Sequence, residues 1–317
     1  GPALSICAPG GAIGRTSHNF QPDRTAEADI FDRPVFGGDK VGHFTLKKSA
    51  RGLKPLLQKL LFCLPLTPLG QMILAHFEKS EWGITLENRP EESPPLDEKQ
   101  KILILPSEGL GPPALLRSPY FRNHLILSFL RGLRLAERHE AVMAPFFLAP
   151  AATILWERLR AADSHAVMVF LAHSMRESCP DLWRYVTEME EEADRHHLHP
   201  KDEESSLDLH TLFLSWFGNK TARKDCDART LYTIDRVLQQ VDDPARYRRP
   251  LTATALRRYT TKEGDKSYLP VRSDRLNLHD LDPVHAAYLA QIEREQNMIV
   301  HGAVTLRDRA LATRLFE

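Results

Sequence analysis

No His-Glu-x-x-His run occurs anywhere in the 317 residues, and other catalytic signatures are scarce too. There is no glycine loop that cradles phosphate, no Gly-x-Ser-x-Gly elbow and no dinucleotide fingerprint. Phosphoryl transfer, α/β-hydrolase and nicotinamide chemistry are left without their usual motifs. Cysteine is sparse. The four residues Cys7, Cys63, Cys179 and Cys226 are widely spaced and form no Cys-x-x-Cys pair. That argues against a zinc ribbon and against a disulfide framework, and favours free thiols in a reducing compartment. Net charge is absent as well, with 42 Lys plus Arg balancing 42 Asp plus Glu. No global field draws the chain to nucleic acid or to an anionic membrane, although a local patch still could. No apolar stretch approaches the ~20 residues of a membrane span. The N-terminus has no basic-then-apolar signal pattern, and Gly1-Pro2 reads as the scar of a protease cut. A cytoplasmic protein is the expectation.

What is present is an ordinary globular composition, 42% hydrophobic and 26% charged, enough to bury a sizeable core. Residues 1–45 are rich in Gly, Pro, Asp and Ser without an apolar period. They read as a flexible N-terminal arm, with Phe31, Val35, Phe36 and Phe44 as local anchors. Residues 46–317 read as a single, predominantly helical domain. Lys47 to Leu61 is a basic amphipathic helix that Pro55 should kink or split. It either packs on the core or meets a membrane or partner. Thr67-Pro68 fits an N-cap with proline at the first helical position.

Trp82–Leu86 and Lys101–Leu105 read as two short strands joined by a Pro- and Glu-rich surface loop, a small β-hairpin. Two long apolar helices follow, 121–138 and 152–177, and Pro180 opens another. Leu207–Phe217 continues the helical series. Leu231–Val241 is next, with Asp225 or Asp227 as its cap, and residues 252–259 and 284–295 complete it. The fold class is α+β, dominated by helix.

Zinc peptidase chemistry needs two imidazoles one helical turn apart, a glutamate beside the first as general base, and a third ligand from a later helix. His139-Glu140-Ala141-Val142-Met143 is the nearest literal match. It holds one imidazole and the glutamate, with Met143, a poor zinc ligand, in the second imidazole's place. Asp163 lies on the edge of the second helix's apolar stripe, where a carboxylate either has a partner, such as a nearby Arg, or a raised pKa. His165 and His173 follow on the same helix. His196, His197 and His199 with Asp194 form a further imidazole cluster after an acidic run. Arg246, Arg248, Arg249, Arg257, Arg258 and Lys262, interleaved with Tyr247 and Tyr259, make the one basic patch. Phosphate contact with aromatic stacking would suit a nucleic-acid strand, whereas zero net charge and acidic flanks favour a solvated surface.

Four stretches resemble a bacterial family of unknown function, common in alphaproteobacteria and labelled a metallopeptidase. They are Thr67-Pro68-Leu69-Gly70 leading to Trp82-Gly83-Ile84; Arg117-Ser118-Pro119-Tyr120-Phe121-Arg122-Asn123; Arg160-Ala161-Ala162-Asp163; and Phe213-Leu214-Ser215-Trp216-Phe217. Downstream of the last stand Cys226-Asp227-Ala228-Arg229-Thr230-Leu231 and Arg249-Pro250-Leu251-Thr252. The resemblance covers about residues 65–270 and rests on order and spacing. It implies a zincin-like helical core and sets Ser128-Phe129-Leu130-Arg131-Gly132 where peptidase-like relatives carry His-Glu-x-x-His. Asp163 then matches a third-ligand position.

The expectation is therefore a non-catalytic binding or regulatory protein on a degenerate scaffold, with a protein partner and no cofactor. The alternative is a zinc-dependent hydrolase with an unconventional site, drawing on Glu140 as the catalytic group and on His139, Asp163, His165 and His173 as ligands. Nucleic-acid binding through the arginine-rich segment is a third possibility.

Overall fold

The computed structural model describes residues 39–90, 95–190, 207–262, 266–270 and 280–300. The protein is mostly helical with a small five-stranded sheet. Contacts gather the chain into two compact units. Residues 39–139 and 167–190 belong to the first, residues 140–166 and 207–300 to the second. No helix among the described residues is long and apolar enough to cross a membrane.

The first unit holds the sheet, whose strands are β1 (Lys40–Val41), β2 (Phe44–Leu46), β3 (Trp82–Glu87), β4 (Leu96–Asp97) and β5 (Ile102–Pro106). Their order is β1-β2-β3-β5-β4. Of the expected arm, residues 39–45 enter this sheet. β1 and β2 pair antiparallel around a tight turn in which Gly42 takes φ +55°. That left-handed conformation is open to glycine and strained for most other residues. Phe44 does anchor this segment on the body. Its ring lies 4.9 Å from Phe77 and 6.1 Å from Phe129, in the middle of the core. Residues 1–38, with Phe31, Val35 and Phe36, fall outside the described residues.

The expected hairpin of Trp82–Leu86 with Lys101–Leu105 is corrected: β3 and β5 run parallel, with Ile84 opposite Leu103. The residues between them cannot form a hairpin turn, because parallel neighbours need a crossover. They include β4, which pairs antiparallel with β5 through Leu96 and Leu103. β2 is also parallel to β3. Its crossover is a 3₁₀ turn (Lys48–Leu53), α1 (Lys54–Cys63), a short 3₁₀ turn (Leu64–Leu66) and α2 (Pro68–Phe77). Pro55 does split the basic segment, standing in the first turn of α1 where a missing N–H costs nothing. Leu53, Leu57 and Leu60 face the core. Thr67 caps α2, its Oγ1 accepting from Gly70 N at 2.9 Å. Gly70 is required there: a Cβ would meet the Leu64 carbonyl oxygen at 2.0 Å.

Then come α3 (Pro112–Arg117), α4 (Pro119–Ala141), α5 (Pro150–Ser174) and α6 (Pro180–Glu190). α4 lays Leu125, Ile126, Phe129, Leu130 and Leu133 into the interior.

The second unit takes the first part of α5, through residue 166, with α7 (Leu209–Gly218), α8 (Lys220–Gln240), α9 (Ala253–Tyr259) and α10 (Pro283–Val300). Ile154, Leu231, Ile234, Leu238, Tyr247, Leu289 and Ile292 form one of its core clusters. Asp208, Asn219 and Thr252 cap α7, α8 and α9 through their side chains. Neither Asp225 nor Asp227 is a cap. α8 starts earlier, at Asn219, which leaves both inside the helix.

Candidate functional site

The segment matched to the peptidase motif lies in the middle of α4. Phe129, Leu130 and Gly132 are buried. A Cβ on Gly132 would sit 3.4 Å from a Leu103 methyl and 3.5 Å from the Pro95 carbonyl oxygen, so this turn of helix is pressed against the sheet. His124, Ser128 and Arg131 stand at i, i+4 and i+7 along one stripe of the helix. All three line a cleft of about 130 Å³ whose other wall includes Ile104, Leu105, Pro106, Glu87 and Arg89. Ser128 Oγ donates to the His124 carbonyl at 3.0 Å, a back-bond common in helices. His124 Nε2 is 3.5 Å from Glu108 Oε1, and Arg89 Nε is 3.7 Å from Glu87 Oε2. The cleft thus combines two guanidiniums, an imidazole and the Glu87 carboxylate with an apolar, proline-edged wall.

One turn further along α4, charge is buried. Glu137 accepts from Arg134 Nη1 at 3.3 Å and from Arg138 Nε at 2.7 Å, and Arg138 Nη2 closes a second arm of the fork. Burial alone would push the Glu137 carboxyl up. The Arg138 hydrogen bond and the charges of Arg134 and Arg138 outweigh it and hold Glu137 below its ordinary range.

The second unit has its own buried ion network. Arg158 donates through Nε to Asp227 Oδ1 at 2.7 Å and through Nη2 to Asp227 Oδ2 at 2.6 Å, a fork-to-fork pair. Arg158 Nη1 reaches Asp280 Oδ1 at 3.0 Å, and Arg223 Nη2 reaches Asp280 Oδ2 at 3.0 Å. Arg160 and Glu157 stand 3.6 Å apart one turn away. Nearby, burial and then the Glu157 carboxylate push the Cys226 thiol up to about 12, leaving it an inert core residue.

The sequence candidates sit as follows. His139 Nδ1 is 3.3 Å from the Glu98 carboxylate in the first unit. Glu140 is half-buried at the end of α4, and His165 half-buried on α5. Asp163 is fully buried and accepts from the Tyr268 hydroxyl at 2.7 Å, so the carboxylate has a partner, as its place on the apolar edge led one to expect. His173 packs edge-on to Trp183, ring centroids 4.8 Å apart; burial and then Arg176 lower its pKa. Among the described residues, no three His, Cys, Asp or Glu side chains gather as a metal group. The imidazole cluster at His196, His197 and His199 lies outside the described residues.

In the arginine-rich segment the two tyrosines face inward. Tyr247 and Tyr259 are buried, at 2% and 1% exposure, so neither can stack on a base. Tyr259 packs on Trp156 instead, ring centroids 5.1 Å apart. Arg246 lies 4.3 Å over the Phe147 ring and Arg249 5.9 Å from it. Arg248 donates to the Ala245 carbonyl and to Asn297. Arg257 donates to the Leu269 carbonyl. Arg258 is exposed.

Comparison with known proteins gives no relative. No family model matches the chain. No curated protein and no solved structure matches it either.

Sequence reasoning did not single out Arg158, Asp280, Arg134, Glu137 or Arg138, and it took Asp227 for a helix cap and not for an ion-pair partner. A signal was available: Arg134-Leu-Ala-Glu137-Arg138 and Glu157-Arg158-Leu-Arg160 place several charges inside long apolar helices, where no single polar face could take them all.

Proposed function

We propose that the protein is a non-catalytic binding protein that keeps a metallopeptidase-like order of elements and uses the α4 cleft to hold a protein partner. The observation that carries this reading is the face that α4 turns to the cleft. His124, Ser128 and Arg131 line it. Arginine with a neighbouring imidazole recognises carboxylates well, through planar, charge-assisted hydrogen bonds. An arginine is a poor general base and a poor metal ligand, because it stays protonated. The apolar wall of Ile104, Leu105 and Pro106 adds surface for a flanking aliphatic side chain.

The partner therefore presents an acidic residue beside an apolar one. His139, Asp163 and His173, the groups a hydrolase would draw on, have partners within the fold in Glu98, Tyr268 and Trp183.

A pool of fluorescein-labelled hexapeptides containing Asp or Glu next to Leu or Val, read by anisotropy, tests the reading. Binding should weaken at least tenfold in Arg131→Glu and should fall with added salt. Equal binding to wild type and Arg131→Glu, or no binding by either, would remove the cleft as the recognition site.

A further inference from the structure

Within the first unit, α1, α4 and the turn that leads into α6 enclose a cavity of about 340 Å³. It shares no lining residue with the cleft around Arg131. Its volume lies at the small end of the ~300–1,000 Å³ of small-molecule sites. Helical spacing builds two of its walls. Leu56, Lys59 and Leu60 share one stripe of α1, and Arg122 and Ile126 stand one turn apart on α4 with Asn123 beside them. Leu60, Ile126 and Leu182 are buried and make an apolar floor. The polar groups fall into two sets. Asn123 is 4% exposed, and its Nδ2 donates to the Asp181 carbonyl at 3.4 Å, which turns the amide toward the start of α6. Among the described residues its Oδ1 accepts no bond, and it is not sealed in the core; the cavity is the opening that Asn123 lines. The Asp181 carboxylate stands beside it at the rim, 60% exposed. Those are the acceptors. The cations are Arg122 and Lys59. Arg122 Nη1 donates to the Leu116 carbonyl at 3.0 Å, which fixes the guanidinium, while Nη2 is 4.0 Å from Asp181 Oδ2, too long for a hydrogen bond. Lys59 is exposed and, among the described residues, has no carboxylate partner.

We propose that this cavity binds a free α-amino acid with an aliphatic side chain. The α-carboxylate accepts from Lys59 and Arg122, through charge-assisted hydrogen bonds. The α-ammonium donates to Asn123 Oδ1 and to the Asp181 carboxylate. The side chain lies on Leu60, Ile126 and Leu182, which favours a branched chain of leucine size over a polar one. The pairing of charges selects this class. A plain carboxylate would leave Asn123 Oδ1 without a donor and would meet Asp181 as a like charge. A plain amine would meet Arg122 and Lys59 as like charges. A peptide's first residue lacks the carboxylate and its last residue lacks the ammonium, so neither end of a chain satisfies both sets. A zwitterion of one residue does.

Titration calorimetry of the whole protein with L-leucine tests this, beside L-leucinamide, 4-methylpentanoate and the dipeptides Leu-Gly and Gly-Leu. L-Leucine should bind. Each of the other four lacks one of the two adjacent charges and should bind at least about tenfold more weakly, the size of one lost bond to a charged group. Lys59→Glu and Asp181→Asn change exposed side chains and should each weaken L-leucine by a similar factor while the unfolding temperature without ligand stays near wild type. Arg131→Glu, in the other cleft, should leave L-leucine binding unchanged. Absence of heat and of any rise in unfolding temperature with millimolar L-leucine would overturn the proposal. Equal binding of L-leucine and its single-charge analogues would overturn it too, as would L-leucine binding that survives both Lys59→Glu and Asp181→Asn or is lost in Arg131→Glu. The analogue series on the wild-type protein decides the matter even if a variant fails to fold.

Discussion

Removing the carboxylate of Asp227 should be among the most damaging single changes to this protein. Arg158 and Asp227 have side chains only 1% and 2% exposed, and two charge-assisted bonds of 2.7 and 2.6 Å join them. Asp227→Ala leaves the guanidinium in place without its principal partner. Breaking a buried pair from one side costs about 3–5 kcal/mol, because the remaining charge is uncompensated. Asp280 stays on Nη1 of Arg158 and is 47% exposed, so water can approach from that side. The loss should therefore fall toward the lower end of that range. Asp227→Asn retains an acceptor for one arm of the fork and should cost less. Replacing both partners by apolar residues of similar size, Arg158→Met with Asp227→Leu, removes the desolvation penalty together with the attraction and should recover most of the loss. Urea unfolding followed by circular dichroism and tryptophan fluorescence measures all three. An Asp227→Ala midpoint equal to wild type, or a double variant worse than the single one, would refute the reasoning.

Phe44→Ala should cost about 3–5 kcal/mol, the range for emptying a large aromatic site in a packed core, whereas a change at an unpacked arm residue would cost almost nothing; thermal unfolding separates the two. Glu137 is held below its ordinary carboxyl range by Arg138 and Arg134 once the opposing effect of burial is overcome. Its contribution to stability is accordingly present above the unfolded carboxyl value of about 4.3 and lost as pH falls through the lower folded value. Glu137→Gln should be less stable than wild type near neutrality, with the two converging in acid; parallel curves down to low pH would contradict this.

Much of the helical series could be read from the chain because it depends on local chemistry. Thr67-Pro68 and Pro180 open helices for reasons confined to one turn, and the 3.6-residue apolar period of 121–138 survives in α4. Strand pairing is not local. Trp82–Glu87 and Ile102–Pro106 have strand patterns either way, and only the packing of the intervening chain decides that they run parallel. Phe44 could be named as an anchor, yet its partners Phe77 and Phe129 are distant in sequence and no local pattern identifies them. The tyrosines of the arginine-rich segment misled in the same way: alternation with arginine says nothing about which side of the segment faces inward, and Tyr247 and Tyr259 face the core. Asp163 was legible as a paired carboxylate by its place on the apolar edge, but Tyr268, a hundred residues downstream, was beyond any periodicity.

The proposal is that this chain binds without turning over. Its most direct test is incubation of the purified protein, with and without added zinc, with a complex peptide mixture at neutral pH, counting new termini by mass spectrometry. The account predicts no more new termini than with heat-inactivated protein in either condition. Reproducible cleavage that disappears in Glu140→Gln would contradict it and place hydrolysis at the end of α4.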